Sequence, residues 1–208
     1  MKIQENIPLA PLTTLQVGGP ARYFAEARTE AGVKEAVAYA AERRLPLFVL
    51  GGGSNLVIAD QGWPGLVLKV ALPGVEHEGE GDNAIFYAAA GESWDHFVDR
   101  TVTSNCAGLE CLSGIPGTVG GTPVQNVGAY GQEVSQAILS VRVLEITTGE
   151  IRTLANADCR FAYRSSIFNT SERGRYIVLE AGYRLKQKGQ PMLEYADLKN
   201  FFAEAVHP

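Results

Sequence analysis

Two glycine-rich stretches offer most of the chemistry in this sequence. The first, residues 48–60, reads FVLGGGSNLVIAD: an apolar run, three glycines, a Ser-Asn pair and a second apolar run. Glycine lacks Cβ, so such a loop serves either a tight turn with positive φ or the close approach of backbone N–H groups to an anion. Familiar phosphate loops place their glycines between a strand and a helix. Here no Lys-Ser or Lys-Thr follows, the spacing is not that of a dinucleotide fold, and the next residues, Leu56, Val57 and Ile58, form a β-type run. Taken alone, the stretch reads as a hairpin.

The second stretch, residues 113–131, reads SGIPGTVGGTPVQNVGAYG and is too rich in Gly and Pro for a regular helix or a central strand. A loop this long is uncommon in a compact domain unless it binds something or is disordered, and Ile115, Val119, Val124 and Val127 argue against disorder. For either stretch alone, tight turns are the better reading. The two together favour an elongated ligand with a phosphate-bearing middle, held in a crevice, and a dinucleotide cofactor meets that description.

Other chemistries find little support. His77, His96 and His207 lack a metal-ligand spacing, and Cys106, Cys111 and Cys159 are an odd number without CxxC pairs, as expected of buried or inert thiols in a reducing compartment. No serine sits in a GxSxG elbow. A net charge of -5 argues against a general nucleic-acid or membrane-surface binder and for small-molecule partners. The first residues, MKIQENIPLAPL, lack the apolar core of a signal peptide, and no apolar run is long enough to cross a bilayer, so the expectation is a cytoplasmic protein; separately, a monomer is expected.

The elements that must position these loops follow from periodicity. With 46% hydrophobic residues, 208 residues bury one domain or two small ones. The pattern predicts a strand over 21–27, then a helix capped by Thr29 with Val33, Ala36, Val37 and Ala40 inward, ending near Arg44. Strands over 47–50, 56–58 and 66–70 complete a small α+β unit bounded near Pro73 and Gly74. A Gly- and Glu-rich turn at 79–82 leads to a strand over 84–90 and a helix capped by Ser93, with Trp94, Phe97, Val98 and Val102 inward. After the long loop come a hairpin of 140–146 and 150–154 and a strand over 176–185. Residues 195–206 read as the start of a helix, with Leu198, Phe201, Phe202 and Val206 apolar, that ends as an interrupted domain does.

The chain resembles the UDP-N-acetylenolpyruvoylglucosamine reductase family along nearly its whole length. The match comprises TLQVGGPA at 14–21, LGGGSNL at 50–56, the whole of 113–131, and FAYRSSIF at 161–168. The resemblance implies an α+β, two-subdomain FAD-binding fold of the vanillyl-alcohol-oxidase/PCMH type: residues 1–72 and 73–190 as FAD-binding subdomains, and 191–208 as the start of a largely absent substrate domain. It implies that Gly51, Gly52, Gly53, Ser54 and Asn55 meet the FAD pyrophosphate, making the first loop a nest between strands, with Leu56 also cofactor-binding. Along the second loop it assigns Ser113, Ile115, Pro116, Gly117, Thr118, Gly120 and Gly121 to the cofactor, then Gln125, Asn126, Gly128, Ala129 and Tyr130.

The same resemblance makes Tyr163 and Arg164 substrate-binding residues, with Arg164 catalytic, facing the substrate carboxylate. It implies an NADPH-dependent reduction of UDP-N-acetylglucosamine enolpyruvate to UDP-N-acetylmuramate in peptidoglycan precursor synthesis. The family's proton-donor serine and its glutamate belong to a third domain, so this chain alone is expected to bind FAD with little or no turnover. The alternatives are an oxidase of the same flavin fold and a non-catalytic nucleotide-binding module. No histidine lies in either loop, and Cys106 and Cys111 precede the second, which weakens the covalent attachment that such oxidases often use.

Overall fold

A computed structural model describes residues 1–204. Val206, His207 and Pro208, where the sequence places the end of the last helix, lie outside the described residues.

The first sheet holds β1 (Gln4–Pro8), β2 (Pro20–Ala27), β3 (Leu47–Leu50) and β4 (Trp63–Val70) in the order β1-β2-β4-β3. Strands β2, β4 and β3 run parallel, which requires a crossover, and α1 (Glu30–Glu42) supplies it. Thr29 caps α1 by accepting the Gly32 N–H, and Val33, Ala36, Val37 and Ala40 form its buried stripe. Strand β4 is buried on both faces: Leu66 and Leu68 join the main core, while Val67 joins Leu9, Phe24 and Leu50 in a smaller one on the far side.

The second sheet is an antiparallel array of β5 (Val75–Glu80), β6 (Asn83–Ala89), β10 (Ile138–Glu145), β11 (Ile151–Ala155) and β12 (Tyr176–Gln187), ordered β11-β10-β12-β6-β5. Short β7 (Cys106–Ala107) adds to the end of β12, and β8 (Gly128–Ala129) pairs with β9 (Gln132–Glu133) within the long loop region. The other α-helices among the described residues are α2 (Trp94–Thr103) and α3 (Ala196–Glu204). The chain leaves one sheet for the other at residues 71–74, and α1 and α2 share one continuous apolar core with both sheets. Arg142 on β10 forks onto both carboxylate oxygens of Glu30 at the start of α1, a bidentate pair that ties the second sheet to the first layer.

Three expectations need correction. Residues 56–58 are not a strand: Leu56 and Ile58 turn inward on the smaller core while Val57 stays 78% exposed, so the alternation is present, but no strand pairs with it. Its neighbour is Gly18-Gly19, where a Cβ on Gly18 would meet Ile58 Cβ at 2.6 Å and Gly19 N–H donates to Ala59 O. On α2 the fourth inward position is Thr101, with its hydroxyl bonded to Val98 O, while Val102 faces solvent. Ser93 is the N-cap residue of α2, yet its side chain makes no capping hydrogen bond.

The long loop is held from below by aromatic side chains. Trp94 and Phe97 of α2 pack on Tyr183 of β12 at centroid distances of 6.0 and 4.9 Å. The Trp94 indole donates to Leu112 O at 2.9 Å, and the Tyr183 hydroxyl lies 3.0 Å from Thr122 Oγ1, which itself bonds Val119 O. Burial pushes the Tyr183 phenol well above its ordinary range, so the hydroxyl stays neutral and available for this bond. Trp94→Ala should therefore destabilise the chain by about 3–5 kcal/mol, read as a lowered urea midpoint. A midpoint within error of the parent would show that the ring does not support the loop.

Candidate functional site

The two glycine loops meet backbone to backbone. A Cβ on Gly52 would lie 2.7 Å from Gly117 Cα, and one on Gly51 would lie 2.9 Å from Thr118 Oγ1. Gly53 takes φ +70°, and a side chain there would run into Leu12 O at 2.0 Å. Across this seam Ser54 Oγ donates to Pro116 O at 3.0 Å, and Asn55 Nδ2 donates to Gln125 Oε1 at 2.7 Å. Glycine is needed here because two chains approach more closely than any Cβ permits.

Each loop has engaged amides and open ones. In the second loop the N–H groups of Val119, Gly120, Gly121 and Thr122 donate to Glu92, Ala90, Thr118 and Val119 carbonyls. In the first, the amides of Gly52, Gly53, Ser54 and Asn55 have no protein acceptor among the described residues. Successive unpaired N–H groups in a turn form an anion-binding concavity. Thr118 Oγ1 is also buried without a partner at the seam. An unmade buried hydrogen bond is costly, so both observations fit a polar group lying along residues 51–55 and 118.

That position opens on a cleft of about 890 Å³, within the usual range for cofactor sites. The cleft includes Gly51 to Leu56, then Ile115, Pro116, Gly117, Thr118, Gly120, Gly121 and Gln125, with Arg164 also at its wall. Ser113, Asn126, Gly128, Ala129, Tyr130 and Tyr163 do not line it. Ser113 instead bonds Asp95 at 2.8 Å, Tyr130 packs edge-on against Tyr195, and Tyr163 is 82% exposed. Asn126 is buried, with its side chain bonded to protein groups.

Arg164 sits in a tight turn closed by reciprocal Ala162 and Ser165 backbone bonds, in the left-handed region at φ +53°. Its Nη2 donates to Gly128 O at 2.8 Å, which leaves other guanidinium N–H groups for an oxyanion. Sequence reading missed other parts of the wall, where Phe48 and Trp63 meet in a tilted contact at 5.4 Å and Ile146, Arg173, Gly174 and Tyr176 also line the cleft. These residues come from separate strands and turns, and no local motif marks them. Phe168 and Asn169, also in the wall, were within reach of the FAYRSSIF pattern.

A smaller cleft of about 320 Å³ adjoins across Gly51, Gly52, Gly117 and Thr118. In it, burial raises the Glu26 carboxyl, but hydrogen bonds and charge from Lys69 and Arg28 outweigh this and hold it below the usual range. None of the cysteines is poised as a nucleophile: Cys106 and Cys159 are buried, the Cys159 thiol is pushed up to about 12 by burial and the nearby Asp158, and Cys111 donates to Met192 O.

A family model described as FAD binding domain matches residues 21–155. The UDP-N-acetylenolpyruvoylglucosamine reductase of Streptomyces coelicolor is 49% identical over 181 residues, 87% of this chain and 46% of that protein. The crystal structure of the reductase of that name (MurB) from Thermus caldophilus aligns with a TM-score of 0.75 at 28% identity, covering 98% of this chain and 68% of that one. A solvent-stable cholesterol oxidase, at 16% identity and a TM-score of 0.63 over 88% of this chain and 37% of its own, shares the fold. The chain spans about half the length of the curated relatives it matches.

Two outcomes follow. Gly52→Ala forces the loops apart and should cost about 1–3 kcal/mol, as overpacking does, whereas Gly121→Ala, with nothing within 4 Å of the new methyl, should leave the thermal midpoint nearly unchanged. Equal effects would refute the seam. Hydrogen bonds from the Gly114 amide and then the Ser113 hydroxyl hold the Asp95 carboxyl below its ordinary value. A pKa depressed on folding gives stability that is full above the unfolded value of about 3.9 and is lost as pH falls through the folded one. Asp95→Asn should therefore flatten the acid side of the stability profile, and an unaltered slope below about pH 4 would contradict it.

Proposed function

We propose, for a chain that belongs to the FAD binding domain family, that the large cleft holds FAD and that the chain is the cofactor-carrying part of a UDP-N-acetylenolpyruvoylglucosamine reductase. The reaction is the NADPH-dependent reduction of UDP-N-acetylglucosamine enolpyruvate to UDP-N-acetylmuramate, an early step of peptidoglycan precursor synthesis. The observation that carries this reading is the row of unpaired amides at residues 52–55, open to a cleft whose wall includes Arg164. When bound, FAD supplies the two-electron chemistry that no side chain here provides.

The chain's own residues do the rest. Amides of Gly52, Gly53, Ser54 and Asn55 receive the pyrophosphate, and Thr118 Oγ1 gains the partner it lacks. The glycines at 117, 120 and 121 allow close approach along the second loop. Arg164, held by Gly128 O, presents its remaining N–H groups to the carboxylate of the enolpyruvyl substrate and stabilises charge that builds up during reduction. Tyr163, exposed beside it, helps to position the substrate. In this reading residues 1–72 and 73–190 are the FAD-binding subdomains and 191–208 begin the substrate-binding one. In the same reading the protein is a cytoplasmic monomer, its three cysteines being free as in a reducing compartment.

Incubation with FAD followed by desalting should leave flavin absorption bands on the purified chain. A colourless product, from both this chain and one extended to its relatives' length, would overturn the proposal. Arg164→Ala should retain the bands while lowering substrate reduction by the extended chain about 100- to 1,000-fold, the usual cost of removing one such donor. Unchanged turnover would remove Arg164 from the mechanism.

A further inference from the structure

Arg164 holds a left-handed backbone at φ +53°, a conformation that side chains other than glycine keep only where their surroundings impose it. Among the described residues, the turn that carries it, residues 162–165, has no backbone–backbone bonds beyond its two internal ones, and it is exposed at Ala162, Tyr163 and Arg164. Something outside the turn must fix it. Asn169 Nδ2 donates to Arg164 O at 3.2 Å and steadies one end. At the other end the grip comes from Asn126.

Asn126 is 1% exposed and lies in the second loop. Its Nδ2 donates to Ala162 O at 3.0 Å and to Glu133 Oε2 at 2.8 Å, and its Oδ1 accepts the Ser135 N–H at 3.1 Å. Both amide protons and the carbonyl oxygen are thus engaged. The orientation is forced, because exchanging N and O would set the side-chain oxygen against a carboxylate and a backbone carbonyl. Asn126 itself takes φ +45°, which Asn tolerates better than most residues. One buried amide therefore joins three segments: the second loop, the turn into residues 133–136, and the turn bearing Arg164.

We propose that Asn126 is a positioning residue, whose buried amide clamps the turn at Ala162 and thereby sets Arg164 at the cleft wall beside Gly128. Its consequence for the reaction rests on the reading of Arg164 given above; the clamp itself does not. Aspartate at this position keeps the acceptor but loses both donors, and its charge faces Glu133. Protonation restores one O–H donor. Burial beside a second carboxylate raises the pKa of such a group, so recovery is expected at mildly acid pH. Glycine removes the side chain while accepting the positive φ without strain.

The test is residue-resolved amide hydrogen exchange by NMR on the 208-residue chain without cofactor, corrected for intrinsic rates, at about pH 7.5 and about pH 5, where a raised carboxyl regains its proton. In Asn126→Gly, the Ala162 and Ser165 amides should lose protection by tenfold or more at both pH values, while β12 stays within twofold of the parent. In Asn126→Asp the same loss should occur at the higher pH and reverse at the lower. Unaltered protection at Ala162 and Ser165 in Asn126→Gly would overturn the proposal. So would a loss shared equally by β12, which marks general destabilisation, or an Asn126→Asp profile that does not recover in acid. Because no flavin is present, failure here leaves the cofactor reading intact, and failure to retain flavin leaves this result standing.

Discussion

The contact between the two glycine loops is the constraint on which the cleft depends. Gly52 lies on Gly117 with no room for a methyl group, so the backbone of the first sheet's loop rests directly on that of the second sheet's. Ser54 and Asn55 then reach across to Pro116 and Gln125. The second loop in turn stands on Trp94, Tyr183 and Asp95, which are fixed by α2 and β12. This order of support explains how a stretch so rich in Gly and Pro takes one defined course. The amides of Val119 to Thr122 and of Val127 are engaged with neighbouring carbonyls, and Val119 and Val127 are in the core, with Ile115 and Val124 packed against it.

A good part of this was legible in the sequence. Helix α1, strands β2, β3, β6 and β12, and the β10–β11 hairpin follow from period and turn chemistry, because each has one buried face or a clear cap. Strands β1 and β5 were not. QENIP and VEHEGE sit at sheet edges and are mostly exposed, so their order comes from the partner strand's backbone rather than from any pattern of their own. Residues 56–58 show the reverse case, where a strand-like pattern finds only the glycines at 18 and 19 as neighbours and forms no ladder.

The candidate site divides in the same way. Composition marked two glycine-rich stretches as a joint binding feature, because glycine at close quarters leaves a trace in the sequence, while the placing of residues 51–56 and 115–121 at a cofactor came from the family resemblance. What those glycines do could not be read there: the same letters serve loop-on-loop contact at Gly52 and an open amide row around it. Asn126 and Arg173 show the limit. One lies in the matched motif yet faces away from the cleft into a buried network, while the other lies at the cleft wall with no motif around it. Membership of the FAD binding domain family fixes the cofactor class, and the shared fold with an oxidase at 16% identity shows how little of the substrate's identity the scaffold carries.

Strand β3 is the outer strand of its sheet, and its four residues border the cleft that the glycine loops open. An uncovered strand edge is a template for pairing with another chain, and Val49 on this one is partly exposed and apolar. Whatever fills the cleft also shields that border. One surface thus has two uses: it borders the space a ligand takes, and covering it removes an edge to which another chain could pair.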